Sequence, residues 1–499
     1  MRRLFALILA AFLLCTGCAA AEQAQKAPDF ILEGNDGSSA GHVWETNLFF
    51  TRMQEKTGIS FQFRQYSDDS SWTARKEEIL AGTDLPDVLF KAGLTGQDIQ
   101  KMYAAGTLID LSPYLEQYAP DLWKLLQEHE DWKKAVTLPD GAIPALPSIN
   151  TLQSNNMLWI NSDWLKNLKL ETPTTAEELT EVLRRFRDGD PNRNGQKDEI
   201  PLSFLGMWEL RFLGHAFGMI DNDYYVTLKD GKVTSSLASE ENRQFLAWLH
   251  QLWEEGLLDP SGFNTADSLR QITDEKKTIP YGSFFSLSPA TVVPSAAVDQ
   301  YSIVQPLQYN GTQIYRDLLG DVVRGTFAIT KDCKEPEKLV AWVNTLYTAE
   351  GARMAQYGIE GDEYMWEESG YWNWNADMET VANVYLTEHT IGEGGVMPGV
   401  SAWDFQLEYA VDTVRKTVEQ MAELKKVSVL PYPQVWLSAE DQETILSIQY
   451  DLSDYAEKAM ACFVTGDTPL DDEHWNAFTE KLNELGLEKL IAIWQKAAE

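Results

Sequence analysis

Short apolar runs alternate with helically spaced apolar stripes through most of the chain. "DFILEG" (29–34) is a compact apolar run of the kind that forms a buried strand. His42 to Lys56 carries helical spacing, and "ISFQFRQY" (59–66) alternates with a period of two. Ser71 to Leu80 is helical again, and "PDVLF" (86–90) is a short buried strand. Alternation of this kind predicts α/β layers around a largely parallel sheet. The Pro- and Gly-rich block "LPDGAIPALPSI" (138–149) predicts a crossing between domains. A second α/β unit follows, with strands expected at "MLWI" (157–160), "PLSFL" (201–205), "TIPYGSFF" (278–285) and "YSIVQPL" (301–307). "GTFAIT" (325–330) is one more strand. It leads to a helix opened by Pro336, a favoured first helical position, and to another helical stretch near Glu350. The last hundred residues are mostly helical. There Ile445, Ile448, Leu452, Tyr455, Ala459 and Phe463 form a single apolar stripe that reads as core packing.

The N-terminus breaks this pattern. Arg2 and Arg3 precede an unbroken apolar run, Leu4 to Leu14. The run is shorter than the ~20 residues that span a bilayer and fits the core of a secretory signal. It ends at Cys15-Thr16-Gly17-Cys18, where small residues precede a cysteine. Residues 1–17 therefore read as a signal peptide and 18–27 as a polar tether whose Cys18 carries lipid. The competing reading is a plain cut after Ala21. Two or more acyl chains would anchor stably where one would not.

Composition narrows the function. A chain of 499 residues is too long for one compact core, so two or more domains are expected. A formal charge of -35 repels phosphate backbones and anionic lipid, which argues against nucleic acid and leaves membrane attachment to the tether. Cys333 and Cys462 are the cysteines left after Cys15 and Cys18, and both read as buried or free thiols. The 17 tryptophans serve cores, but an indole also offers the flat face that packs on the C–H side of a pyranose.

Taken together, "TGISFQFRQ", "LPDVLF", "YAAGTLIDLSPYLEQYAPDL", "DGAIPALPS", "LWINSDWLKNL", "DGDPNRNGQKDEIPLS", "GTFAITKDCKEPEKLVAWVNTLYTAEGARMAQYGIEG" and "GDTPLDDEHWNAFTEKLNELGLEKL" span nearly the whole mature chain. In that order they resemble the extracellular solute-binding proteins of carbohydrate ABC importers. The likeness is to the branch of large lipoproteins similar to lipoprotein A and the alginate-oligosaccharide binding proteins. The resemblance implies a two-lobed α/β fold of the second periplasmic-binding type, with a hinge between the lobes. One lobe would comprise 28–149 and 319–400, the other 150–318 and the mostly helical 401–499. It further implies a monomeric binding protein at the outer face of the cytoplasmic membrane. Such a protein closes on an oligosaccharide by hinge motion and delivers it to permease subunits.

Oxygen side chains at alternate positions around a glycine turn, from Asp190 to Glu199, suit a hard cation such as Ca²⁺. Counting from Asp188 puts Glu199 at the twelfth position. Counting from Asp190 puts Gly195 at the sixth, where the sharp turn falls, and this register is preferred. The resemblance points onto the same set: Asp190, Asn192, Asn194, the Gln196 carbonyl, Asp198 and Glu199. Thr175 to Glu178 forms a capping box for the helix that enters the loop, and no exiting helix follows. A single structural Ca²⁺ is expected rather than a sensor site.

Loops after strand ends line clefts in α/β folds. On that basis Trp44, Trp208, Tyr281, Phe284, Trp372, Trp374 and Trp403 are candidate sugar-stacking residues. Asn156, Asp321 and Arg324 are candidate partners of hydroxyls or a carboxylate. Core packing is the competing role for each aromatic residue. A secreted polysaccharide-active enzyme and a glycan-binding adhesin are the alternative functions. The first would need paired carboxylates, and no H-E-x-x-H motif is present.

Overall fold

The computed structural model describes residues 27–153, 155–264, 266, 270–274 and 277–498. The signal segment and Cys18 lie outside the described residues.

Two sheets organise the molecule. The first has six strands in the order Gly399–Val400, Ala145–Ile149, Val322–Ile329, Val88–Phe90, Phe30–Asn35, Phe61–Tyr66. It is largely parallel, as the alternation suggested, with one exception. Val322–Ile329 runs antiparallel to both neighbours, and the other pairings are parallel. The route of the chain explains this. Ala145–Ile149 leaves the sheet toward the second unit, and Val322–Ile329 is the segment that returns, so it enters at the same end. That end also carries the C-termini of Phe30–Asn35, Phe61–Tyr66 and Val88–Phe90, and it faces the second unit. The Pro- and Gly-rich block 138–149 thus supplies a fully buried strand, and the crossing begins only after Ile149.

The helix expected from His42 starts at Leu48. Asn47 caps it by accepting the Phe49 amide proton, and Gly58 (φ 73°) ends it. The preceding segment, His42 to Thr46, is held in turns by buried polar contacts. Around this sheet lies an aromatic core. Trp342 packs against Phe61 and Phe90 at 5.2 and 5.8 Å between ring centres, together with Leu32, Val340 and Ile329.

The second sheet has Met157–Asn161 at its centre, antiparallel to Ser283–Ser286 and Tyr301–Ile303. Its two faces serve two cores, as a period of two requires. Leu158 and Ile160 face one with Phe186, Leu249 and Phe463. Met157 and Trp159 face the other with Phe284, Tyr301 and Leu424. The expected strand at "PLSFL" is reduced to single bridges at Ile200, Leu202 and Ser203. The C-terminal helices include Ala439–Thr465, capped by Ser438 and stopped by Gly466 (φ 80°). Ile445, Leu452 and Phe463 of the predicted stripe are buried on the first of these cores. Among the described residues no helix is long and apolar enough to cross a membrane. Cys333 and Cys462 are unpaired among the described residues, and burial pushes the Cys333 thiol up to about 11.

Three segments join the units: 150–156, 316–322 and 401–411. Lys425, at the end of helix Asp412–Lys426, ties two of them together. Its ammonium meets Asp317 at 2.6 Å, Asp321 at 3.1 Å and the Gln153 carbonyl at 3.2 Å.

Candidate functional site

The facing ends of the two sheets define an interlobe cleft. On the first lobe that end carries Asn35, whose amide donates to Asp69 at 2.8 Å, and exposed Asp68 at the start of helix Asp69–Leu80. On the second lobe, Met157 follows the first crossing and pairs with Ser286, so Leu287 stands on the cleft-facing end, 59% exposed. Trp208, on the short helix Gly206–Leu210 of the same lobe, is 46% exposed. The next residue, Glu209, is fully buried and accepts from Asn156 at 3.1 Å, the Leu205 amide at 2.8 Å and Arg270 at 2.8 Å. Burial raises the Glu209 carboxyl against the pull of Arg270. This network fixes the short helix Gly206–Leu210 to the crossing segment and turns the Trp208 indole outward.

The predicted ligand residues divide. Asn156, Trp208, Asp321, Arg324 and Trp403 lie on crossing segments or cleft-facing ends. The Trp403 indole donates to the Asn150 side chain, which locks it at the hinge. It lines a cavity of about 420 Å³ that Leu287 and Trp159 also line. Arg324 stacks on Trp436, 4.2 Å from its guanidinium carbon to the ring centre, and donates to the Val435 carbonyl at 3.1 Å. Burial lowers its pKa to about 10.

The others are core residues. Trp44 is fully enclosed, 5.7 Å from the Phe90 ring and 6.0 Å from Phe50. Tyr281 and Phe284 face inward from the second sheet, because the end of that strand available to ligand is Ser286 and Leu287. Trp372 is stacked between Phe405 (4.3 Å) and Tyr409 (4.4 Å), with half-buried Trp374 at 5.3 Å. The polar residues of "GYWNWN" occupy the turn and one face of a hairpin whose other face is this aromatic cluster. Trp44→Ala is expected to cost about 3–5 kcal/mol of stability by opening a core cavity. Ligand affinity of the folded protein should stay unchanged, as denaturant titration and calorimetry together would report. Leu287 and the buried Glu209–Arg270 pair were not legible in sequence, since strand register exposes the first and segments far apart in the chain bring the pair together.

The acidic loop follows helix Ala176–Asp188. Thr175 accepts the Glu178 amide proton at 3.2 Å, while the Glu178 carboxylate reaches back to Thr174 rather than Thr175. Asp190 sits at the loop's centre, accepting from the amides of Asn194 (3.0 Å) and Gly195 (3.1 Å). Asp198 accepts from the side-chain amides of Asn192 and Asn194. Asp188, the alternative first position, is instead bound on the surface by Arg187 at 2.7 Å. Both Glu199 oxygens are buried without a hydrogen-bond partner among the described residues. Burial, then Asp198 and Asp190, raises its carboxyl pKa. Unpaired buried carboxylate oxygens beside two more carboxylates fit a hard cation. Among the described residues no three His, Cys, Asp or Glu side chains stand as a preformed metal cluster. Much of the loop's donor set is amide and carbonyl oxygen, and Asp198 is turned to the asparagine amides.

Residues 43–353 match the bacterial extracellular solute-binding proteins. This chain belongs to that family. It is thus a binding protein, not an enzyme. Over 484 residues the solute-binding protein is 28% identical to the fructooligosaccharide ABC transporter substrate-binding protein FusA of Streptococcus pneumoniae, covering 90% of this chain and 86% of FusA. The structure of FusA with kestose matches with a TM-score of 0.70 and 26% identity, over 94% of this chain and 98% of that one. An EF-hand mutant of FusA, in complex with fructo-nystose, matches equally well. Alginate-binding protein AlgQ2, solved without calcium ion, shares the fold at 19% identity and a TM-score of 0.64, over 94% of this chain and 97% of AlgQ2.

Proposed function

We propose that this protein captures an oligosaccharide between its lobes and hands it to the permease of an ABC importer. It acts as a monomer held by lipid on Cys18 at the outer face of the cytoplasmic membrane. The lobes are 28–149 with 319–400 and 150–318 with 401–499. The observation that carries the reading is the exposed Trp208, held next to the first crossing by the Glu209–Asn156 hydrogen bond, with a polar rim at Asn35, Asp68 and Asp69 on the facing lobe. An indole face suits the C–H side of a sugar, and rim amides and carboxylates suit its hydroxyls. Similarity to FusA along nine-tenths of the chain supports the same class.

Thermal-shift measurements with kestose and with an acidic oligouronide test the reading. A bound ligand raises the melting temperature, and no shift with any saccharide would defeat it. Trp208→Ala is expected to weaken binding about tenfold or more, or about 1.4 kcal/mol. Unchanged affinity would remove Trp208 from the site.

A single Ca²⁺ belongs to the same reading, held by Asp190, Asn192, Asn194, the Gln196 carbonyl, Asp198 and Glu199. It would supply divalent charge to carboxylates that have no cationic partner among the described residues, with a structural role only.

A further inference from the structure

A backbone strap covers the cleft-facing end of the Phe30–Asn35 strand. It follows a π-helix at Val381–His389, a form often found at functional sites. Buried Ile391 and Met397 anchor its ends, while Gly392, Glu393, Gly394 and Val396 are exposed. The Gly395 amide donates to the Asp36 carbonyl at 2.7 Å. The approach demands glycine. A Cβ on Gly394 (φ 80°) would lie 2.0 Å from the Asp36 oxygen, and one on Gly395 would lie 2.4 Å from the Asn35 oxygen.

Three buried polar side chains grip the segment by its carbonyls. Lys91 donates to Ile391 at 3.0 Å and Glu393 at 2.6 Å. Asn47 donates to Thr387 at 3.2 Å and Thr390 at 2.8 Å. His42 lies 2.9 Å from the Leu386 carbonyl. Fully enclosed Lys91 also pairs with Asp36 at 2.5 Å, and the other Asp36 oxygen meets His42 at 2.7 Å. A buried lysine is costly unless every donor is used. Here Asp36 and two strap carbonyls take all three. The run Gly392-Glu-Gly-Gly-Val396 has almost no side chain of its own to bury, so its position depends on this grip.

We infer that Glu393–Val396 forms a ligand-contacting wall of the first lobe and that Lys91 is the positioning residue that sets it. The inference rests on the carbohydrate reading of the cleft. Backbone N–H and C=O groups in a fixed strap match sugar hydroxyls, which both donate and accept, and they bind without losing rotamer entropy.

Lys91→Met in the full mature chain tests it, with kestose as probe and amide hydrogen exchange as the second readout. Exchange at Gly395 should rise about tenfold or more, with Leu32 and Leu89 in the sheet unchanged, and affinity should fall about tenfold or more. A loosened strap with affinity intact overturns the ligand wall. Unchanged exchange at the strap overturns the role of Lys91. Gly394→Ala displaces the strap without touching the buried pair, so it carries the test if Lys91→Met does not fold. It should bring the same loss of affinity, and parental affinity there overturns the inference. A parent protein that takes up neither kestose nor the oligouronide defeats the carbohydrate reading and this inference with it. Binding that ignores the strap defeats the inference alone.

Discussion

Chelating calcium from the protein is expected to lower the melting temperature of the second lobe by roughly 8–16 °C. At calcium about 1,000-fold above its dissociation constant, binding contributes about 4.1 kcal/mol. For a lobe of this size each kcal/mol moves the midpoint by about 2–4 °C. The effect is large because the loop is joined to the framework. Glu199 directly precedes Ile200, which bridges to Tyr281, and Ser203 bridges to Phe284 of the second sheet. Without the cation, Asp190, Asp198 and Glu199 repel one another at the edge of that sheet. Asp190→Ala should reproduce the loss and remove the calcium response in scanning calorimetry. Asp188→Ala should leave both nearly unchanged, since Asp188 is itself exposed and its ion pair is with the neighbouring Arg187. Equal effects of the two substitutions would restore the Asp188 register, and a midpoint indifferent to chelation would remove the ion from the reading.

Asp221→Ala is expected to cost about 3–5 kcal/mol in denaturant titration, because it strands buried cations. Asp221 is 3% exposed. It accepts from Arg211 at 3.0 Å, Arg316 at 2.8 Å and the Ser236 hydroxyl. Arg316 belongs to the second crossing, so the network roots the hinge in the second lobe. Burial would raise the Asp221 carboxyl, but Arg211 and Arg316 hold it below the ordinary carboxylate range. Its folded pKa lies below its unfolded value of about 3.9. The stabilisation is therefore complete above that value and is lost as pH falls through the folded pKa. The stability gap between parent and variant should narrow below about pH 4. A constant gap down to pH 2 would show that the carboxylate's charge is not what the arginines need.

Much of this protein was readable before its structure. Alternating periods located Phe30–Asn35, Phe61–Tyr66 and Val88–Phe90, because a buried strand must be apolar whatever surrounds it. The acidic loop was located in sequence, since oxygen side chains around a glycine turn leave a local pattern. The aromatic candidates fared differently. Trp44 and Trp208 both follow a strand or extended run, yet one fills the core and the other stands in solvent. Period and spacing do not distinguish them, because the difference lies in which distant segment packs on each ring. For Trp44 that neighbour is Phe90. For Trp208 it is the Asn156–Glu209 hydrogen bond, which turns the helix so that the indole faces out.

The sequence by itself determined the two α/β units, the helical tail, the acidic loop and the family resemblance, all of which rest on short-range pattern or residue order. Only the tertiary structure decided the antiparallel return strand, the inward turn of Trp44, Tyr281, Phe284 and Trp372, and the glycine strap over buried Lys91. Each of these depends on contacts between residues far apart in the chain. Burial and hydrogen-bond partners are set there by the route of the chain through both lobes, and no local window carries that information.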